Sequence, residues 1–191
     1  MRVISGKYRG KKLKEFNFDT TKPTLDRVKE SMFNLIQFDV VGAKVLDLFC
    51  GTGALGIEAI SRGASFTCFV DKNDNAIKLT KENLKGVDGN FCILHQDSID
   101  FLNNTHEKFD IILLDPPFSS DLGTRAIMKI VEKDILSDNG IIIFETLEAN
   151  SFNFDEKTFK ITHKKYGTVA VYKLEKVWHI KNLMIELKFM V

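Results

Sequence analysis

The stretch Lys44-Val45-Leu46-Asp47-Leu48-Phe49-Cys50-Gly51-Thr52-Gly53-Ala54-Leu55-Gly56 decides the fold. A short continuous apolar run meets a glycine turn and passes directly into a helical pattern over residues 54–61. An apolar run of that length without alternation reads as a strand buried on both faces. Glycines at 51 and 53 permit a tight turn and bring a ligand close to the backbone, beside the free amides of a helix start. A glycine turn alone is weak grounds for a function. The acid Asp47, four positions before Gly51, distinguishes this one.

Working outward, four more short apolar runs follow: TCFV, FCIL, DIILLD and GIIIFE, interleaved with helical patterns around residues 75–84 and 122–131. Strand and helix in alternation predict a doubly wound, Rossmann-like α/β sheet. From residue 159 to 174 the pattern changes to strand, turn at Gly167-Thr168, strand, so the sheet is expected to end in an antiparallel hairpin. Upstream, residues 2–14 carry Arg2, Lys7, Arg9, Lys11, Lys12 and Lys14 with no acid, around Gly6 and Gly10, which suggests a short basic hairpin. Leu25, Val28, Met32, Leu35 and Ile36 then recur at helical spacing, with Thr24 as the expected N-cap and Asp26 suited to the helix start.

At 191 residues and 44% hydrophobic the chain is sized for one core. A net charge of +1 neither demands nor excludes an anionic partner. Cys50, Cys68 and Cys92, odd in number, in apolar surroundings and without a CxxC pair, are read as reduced thiols of a cytoplasmic protein. No apolar run approaches the roughly 18 residues of a membrane span, and no signal peptide is recognised. The four histidines have no ligand spacing, so no metal is expected.

With its acid and glycines, the pattern Asp47-x-Phe49-x-Gly51-x-Gly53 resembles the first motif of class I S-adenosylmethionine-dependent methyltransferases, which implies an acid near the methionine end of S-adenosyl-L-methionine. Asp71 closes the next strand 20 residues after Gly51, where a carboxylate can hold ribose hydroxyls. Asp97, after the third strand, stands where the same class often contacts the adenine amine. Each acid has a plainer reading, Asp47 as a turn cap and Asp71 and Asp97 as helix N-caps.

The strand at 111–114 runs into Asp115-Pro116-Pro117-Phe118 at the carboxyl edge of the sheet. Two prolines fix the backbone and remove amide donors, leaving a rigid lip of acceptors. An exocyclic aromatic amine, whose lone pair is delocalised into its ring, needs such acceptors. Asp115 and the Pro116 carbonyl can each take an N–H and steer the lone pair toward a sulfonium methyl, with Phe118 stacked on the base. The plainer reading is a strand-ending turn with Phe118 in the core.

These motifs resemble the nucleobase amino-methyltransferases. Four segments, a basic glycine-containing opening, Lys22-Pro23-Thr24-Leu25-Asp26-Arg27-Val28-Lys29-Glu30, the segment from Asp47 to Ala64, and Asp115 to Phe118, are similar to the RsmD family of bacterial 16S ribosomal RNA guanine-N2 methyltransferases over about residues 2–175. The resemblance implies methylation of a guanine that the family numbers 966. It implies ribosomal RNA, a 30S subunit or an assembly particle as partner, and a monomer. Arg2, Lys7, Tyr8, Arg9 and Lys11 are then expected to hold phosphates and stack on a base, and Thr24, Arg27 and Glu30 to line the target side. The plainer alternatives are a solvated edge hairpin and an Arg27–Glu30 ion pair.

The expected organisation is 1–37 as basic hairpin and helix, 38–176 as the cofactor-binding domain, and 177–191 as an apolar tail that departs from the family's usual ending. Two other functions remain open. One is adenine-N6 or other nucleobase methylation on DNA or RNA; the other is a non-catalytic ribosome assembly factor, which would be expected to have lost Asp47, Asp71 or Asp115.

Overall fold

The computed structural model describes residues 1–16, 23–118, 120–147, 154 and 156–177. The five apolar runs form parallel strands β1 (Lys44–Asp47), β2 (Phe66–Asp71), β3 (Phe91–His95), β4 (Phe109–Leu114) and β5 (Leu136–Leu147). The hairpin β6 (Phe159–Tyr166) and β7 (Val169–Lys176) adds two antiparallel strands through β7, in the order β3-β2-β1-β4-β5-β7-β6. The chain builds outward from β1 to β3 and then restarts on the other side with β4. The carboxyl ends of β1 and β4 therefore flank the switch point, where open α/β sheets bind ligands.

Helices cover both faces: α1 (Pro23–Asn34), α2 (Ala54–Ser61), α3 (Asp74–Asn83), α4 (Ser98–Asn104) and α5 (Leu122–Glu132). The two-residue period of β4 divides its side chains. Ile112 and Leu114 pack with Phe101, Leu102, Ala126, Ile127 and Ile130 from α4 and α5. Ile111 and Leu113 pack with Val28, Met32 and Phe33 from α1. At Gly56 any Cβ would stand 2.2 Å from the Phe69 ring, so the third glycine of the loop lets α2 lie against β2.

The basic opening is a short hairpin, as expected: Arg2 and Lys12 form an antiparallel bridge flanked by Val3 N donating to the Lys11 carbonyl and Leu13 N to the Met1 carbonyl, and its tip is bonded to α2. The amides of Ile4 and Ser5 donate to the Glu58 carboxylate at 2.8 and 3.0 Å, while Lys7 and Tyr8 donate to the Ser61 carbonyl and hydroxyl. Backbone donors that a strand ladder would use are taken by α2. Glu58 is fully buried and also receives Arg62 Nε at 2.8 Å and faces Lys29 Nζ at 3.4 Å. Lys29 in turn donates to the Arg2 carbonyl at 2.6 Å.

Thr24 is not the N-cap. The helix already begins at Pro23, a residue suited to the first helical position because its missing N–H is not needed there. The Thr24 side chain and the tail from 178 onward lie outside the described residues.

Glu58→Gln leaves Lys29 and Arg62 without their shared counter-charge. The variant is expected to lose about 3 kcal/mol or more of unfolding free energy, read from its urea midpoint. A loss under about 1 kcal/mol would remove Glu58 as the anchor of the N-terminal segment.

Candidate active site

A cleft of about 560 Å³ opens at the switch point, within the range of small-molecule sites. The β1 loop contributes Leu48, Phe49, Cys50, Gly51 and Thr52 to its wall. Gly51 and Gly53 adopt φ of 52° and 77°, the left-handed conformation that glycine takes without strain. Gly53 lies behind the wall under Thr80, where a Cβ would meet the threonine methyl at 2.9 Å.

The acids divide by role. Asp47 is 1% exposed, and its Oδ2 accepts the Gly56 amide at 2.9 Å from behind the loop, while Oδ1 is buried with no partner. It braces the turn and does not line the cleft. Asp71 does line it, with Oδ2 accepting from Gly51 N at 2.9 Å and Oδ1 from Asn73 N at 2.8 Å. The helix cap that follows is Asn73. Asp97 caps α4, with Oδ1 accepting from the Ile99 and Asp100 amides, and the residue also lines the cleft.

Asp115, Pro116, Pro117 and Phe118 form the opposite lip. Phe118 is 41% exposed, which excludes a core role. The Pro117 carbonyl is taken by the Ser120 amide and hydroxyl, whereas the Asp115 side chain opens onto the cleft. Although open on one side, Asp115 is desolvated by the deep walls around it, which push its carboxyl up to about 6. Burial likewise pushes Asp47 up to about 7; repulsion from Asp115 and Asp71 adds to this and the Gly56 amide opposes it.

Sequence reasoning missed Glu145. This acid ends the apolar run of β5 and lines the cleft at 6% exposure. Burial, reinforced by the Asp115 charge, pushes it up to about 9. Only the pairing of Leu114 with Phe144 reveals that Asp115 and Glu145 are successive steps of adjacent strands. Lys29, also in the cleft wall, was missed for the same reason; burial lowers its ammonium below the ordinary lysine range against the pull of Glu58.

The expected RNA-contacting residues separate into two groups. Arg2, Arg9, Arg27 and Glu30 converge with Asp26 on a second groove of about 430 Å³, and Arg27 and Glu30 make no ion pair with each other. Lys7 and Tyr8 turn away to Asp88, at 3.1 Å and 3.3 Å, and Lys11 Nζ donates to the Lys85 carbonyl at 2.7 Å.

The donor set suits S-adenosyl-L-methionine. Carboxylates face a cleft that would receive a cation, and a glycine turn leaves backbone room beside Asp71. No described helix is long and apolar enough to cross a membrane.

The family profile described as "Conserved hypothetical protein 95" matches residues 1–175. The chain is 34% identical over 179 residues to ribosomal RNA small subunit methyltransferase D of Haemophilus influenzae, spanning 91% of this chain and 92% of that protein. It is 39% identical over 181 residues to YlbH of Bacillus subtilis, described as a candidate rRNA methyltransferase, spanning 91% and 98%. The solved structure of the Escherichia coli protein yhhF, described as a candidate methyltransferase, superimposes with a TM-score of 0.83 at 30% identity, covering 92% of this chain and 97% of that one.

The three raised acids, Asp115, Asp47 and Glu145, bind protons more tightly in the folded than in the unfolded chain, so their contribution to stability is full below the ordinary carboxylate range and is lost as pH rises. Asp47 completes its loss near pH 7 and Glu145 near pH 9. Glu145→Gln is expected to flatten the fall in Tm between those two pH values, and a variant whose Tm falls as steeply as the parent's would contradict the assignment.

Proposed function

Because the chain belongs to the conserved hypothetical protein 95 family and is a class I S-adenosylmethionine-dependent methyltransferase related to ribosomal RNA small subunit methyltransferase D, we propose that it methylates the exocyclic N2 of a guanine in small-subunit ribosomal RNA. The observation that carries this reading is the lip of acceptors from Asp115 to Phe118, facing the glycine loop across one cleft.

Asp47, Phe49, Gly51, Gly53, Asp71 and Asp97 are the residues to shape the cofactor pocket, Asp47 and Gly53 by holding the loop and the others by contact. Asp71 would take ribose hydroxyls and Asp97 the adenine amine. When bound, S-adenosylmethionine supplies an electrophilic methyl on a sulfonium. Asp115 and the Pro116 carbonyl accept hydrogen bonds from the two amine N–H groups and turn the nitrogen lone pair out of conjugation, and Phe118 stacks on the base. The proton shed after transfer passes to Asp115 or to water. Above about pH 6 Asp115 is charged and able to accept.

Residues 1–37 form the target side of this reading. Arg2, Arg9 and Arg27 carry the phosphate contacts in the second groove, and Glu30 and Asp26 limit how many phosphates enter. Lys7, Tyr8 and Lys11 serve the fold, since their polar ends are already used.

The direct test is transfer of labelled methyl to 30S particles lacking this modification, followed by nucleoside analysis. Label is expected in N2-methylguanosine and is expected to fall about 100-fold or more in Asp115→Ala, with cofactor affinity retained. Label in N6-methyladenosine, or none despite cofactor binding, would remove the guanine reading. Arg27→Gln and Arg9→Gln are each expected to lower the salt slope of RNA binding by about 1, whereas Lys7→Gln and Lys11→Gln leave it unchanged. Equal effects from both groups would mean that RNA contacts the whole opening.

A further inference from the structure

Glu145 has no part in the chemistry above, yet its position is unusual. It is more than nine-tenths buried, it faces the cleft, and it makes no hydrogen bond or ion pair with the described residues. Its carboxyl oxygens are open to the cleft, where a bound ligand can complete their bonding. The pairing of Leu114 with Phe144 sets it one strand away from Asp115, at the same sheet edge. On its other side the register partner is the apolar Val171 of β7, and Leu122 at the start of α5 is apolar too. Of the two lysines in the cleft wall, Lys29 is committed to the Arg2 carbonyl and Glu58, and Lys72 follows β2, three strands away from β5. Among the described residues Glu145 therefore has a carboxylate beside it and no ion pair to balance a second negative charge, which favours the neutral, donating form.

A target amine is flanked in its ring by at least one bare nitrogen acceptor, N3 beside guanine N2 and N1 beside adenine N6. The two groups that hold the amine, the Asp115 carboxylate and the Pro116 carbonyl, only accept, and both prolines lack an N–H, so neither can serve that nitrogen. We propose that Glu145 reads the target base: its carboxyl O–H donates to the ring nitrogen flanking the amine held by Asp115 and Pro116. This rests on the reading of the cleft as a nucleobase amino-methyltransferase site. Glu145 completes an acceptor-acceptor-donor pattern in which the amine and its neighbouring ring nitrogen are recognised together, and a primary amine without that neighbour is not.

The test compares Glu145→Gln, a neutral donor of the same length, with Glu145→Met, of similar shape and without a donor, on unmodified 30S particles. Glu145→Gln is expected to keep kcat/KM for RNA within about 3-fold of the parent, and Glu145→Met to lose about 10- to 100-fold. Cofactor Kd should be unchanged in both, and the Tm of Glu145→Met should be no lower than that of the parent, which separates recognition from folding. Parent-like transfer by Glu145→Met, or equal impairment of both variants, overturns the proposal, as does loss of cofactor binding in both. If the parent labels adenine N6 and the Gln–Met difference persists, the donor stands and the guanine reading falls. If the parent labels no nucleobase, both fall.

Discussion

The buried carboxylate of Glu58 ties together three segments that are distant in sequence. It receives two amides from the N-terminal segment and Arg62 from its own helix, and it faces Lys29 from α1. A fully buried charge is tolerable only when its lone pairs are used in this way. Without it the amides of Ile4 and Ser5 would lose their acceptor, and the N-terminal segment would be held by its β-bridge, Ser61, Lys29 and the surface bonds to Asp88, Lys85 and Asn83.

The cleft follows the opposite rule. Its acids are only partly satisfied: Glu145 is 6% exposed with no hydrogen bond to a described residue, Asp115 is desolvated beside an open space, and behind the wall Asp47 leaves Oδ1 without a partner. Such groups reduce stability and are concentrated where a ligand completes their bonding. The rest of the molecule compensates with apolar packing on both faces of β1, β4 and β5.

Much of the fold is legible in the sequence because the parallel strands are buried on both faces and so appear as unbroken apolar runs. The first helix of the α/β series, Ala54 to Ser61, and the antiparallel ending around Gly167 were readable for the same kind of reason, a change in period at a glycine. The lip was readable because two prolines after an aspartate have few other uses. What was hidden depends on pairing between distant segments. Glu145 looks like the end of an apolar run until β5 is set beside β4. The lysines of the opening look like free charge until Asp88 and the Lys85 carbonyl are brought to them by α3 and its following loop. Asp47 is expected beside the cofactor, whereas its bond from the Gly56 amide holds it behind the glycine turn, a side that spacing alone does not reveal.

Helix α2 begins at the glycine turn of the cofactor cleft and ends at the residues that dock the N-terminal segment. Eight residues of α-helix span about 12 Å. One short rod thus joins the glycine turn of the cleft to the segment bearing Arg2 and Arg9. On the proposed reading, an RNA that reaches both the cleft and the groove has to match the interval this rod helps to fix.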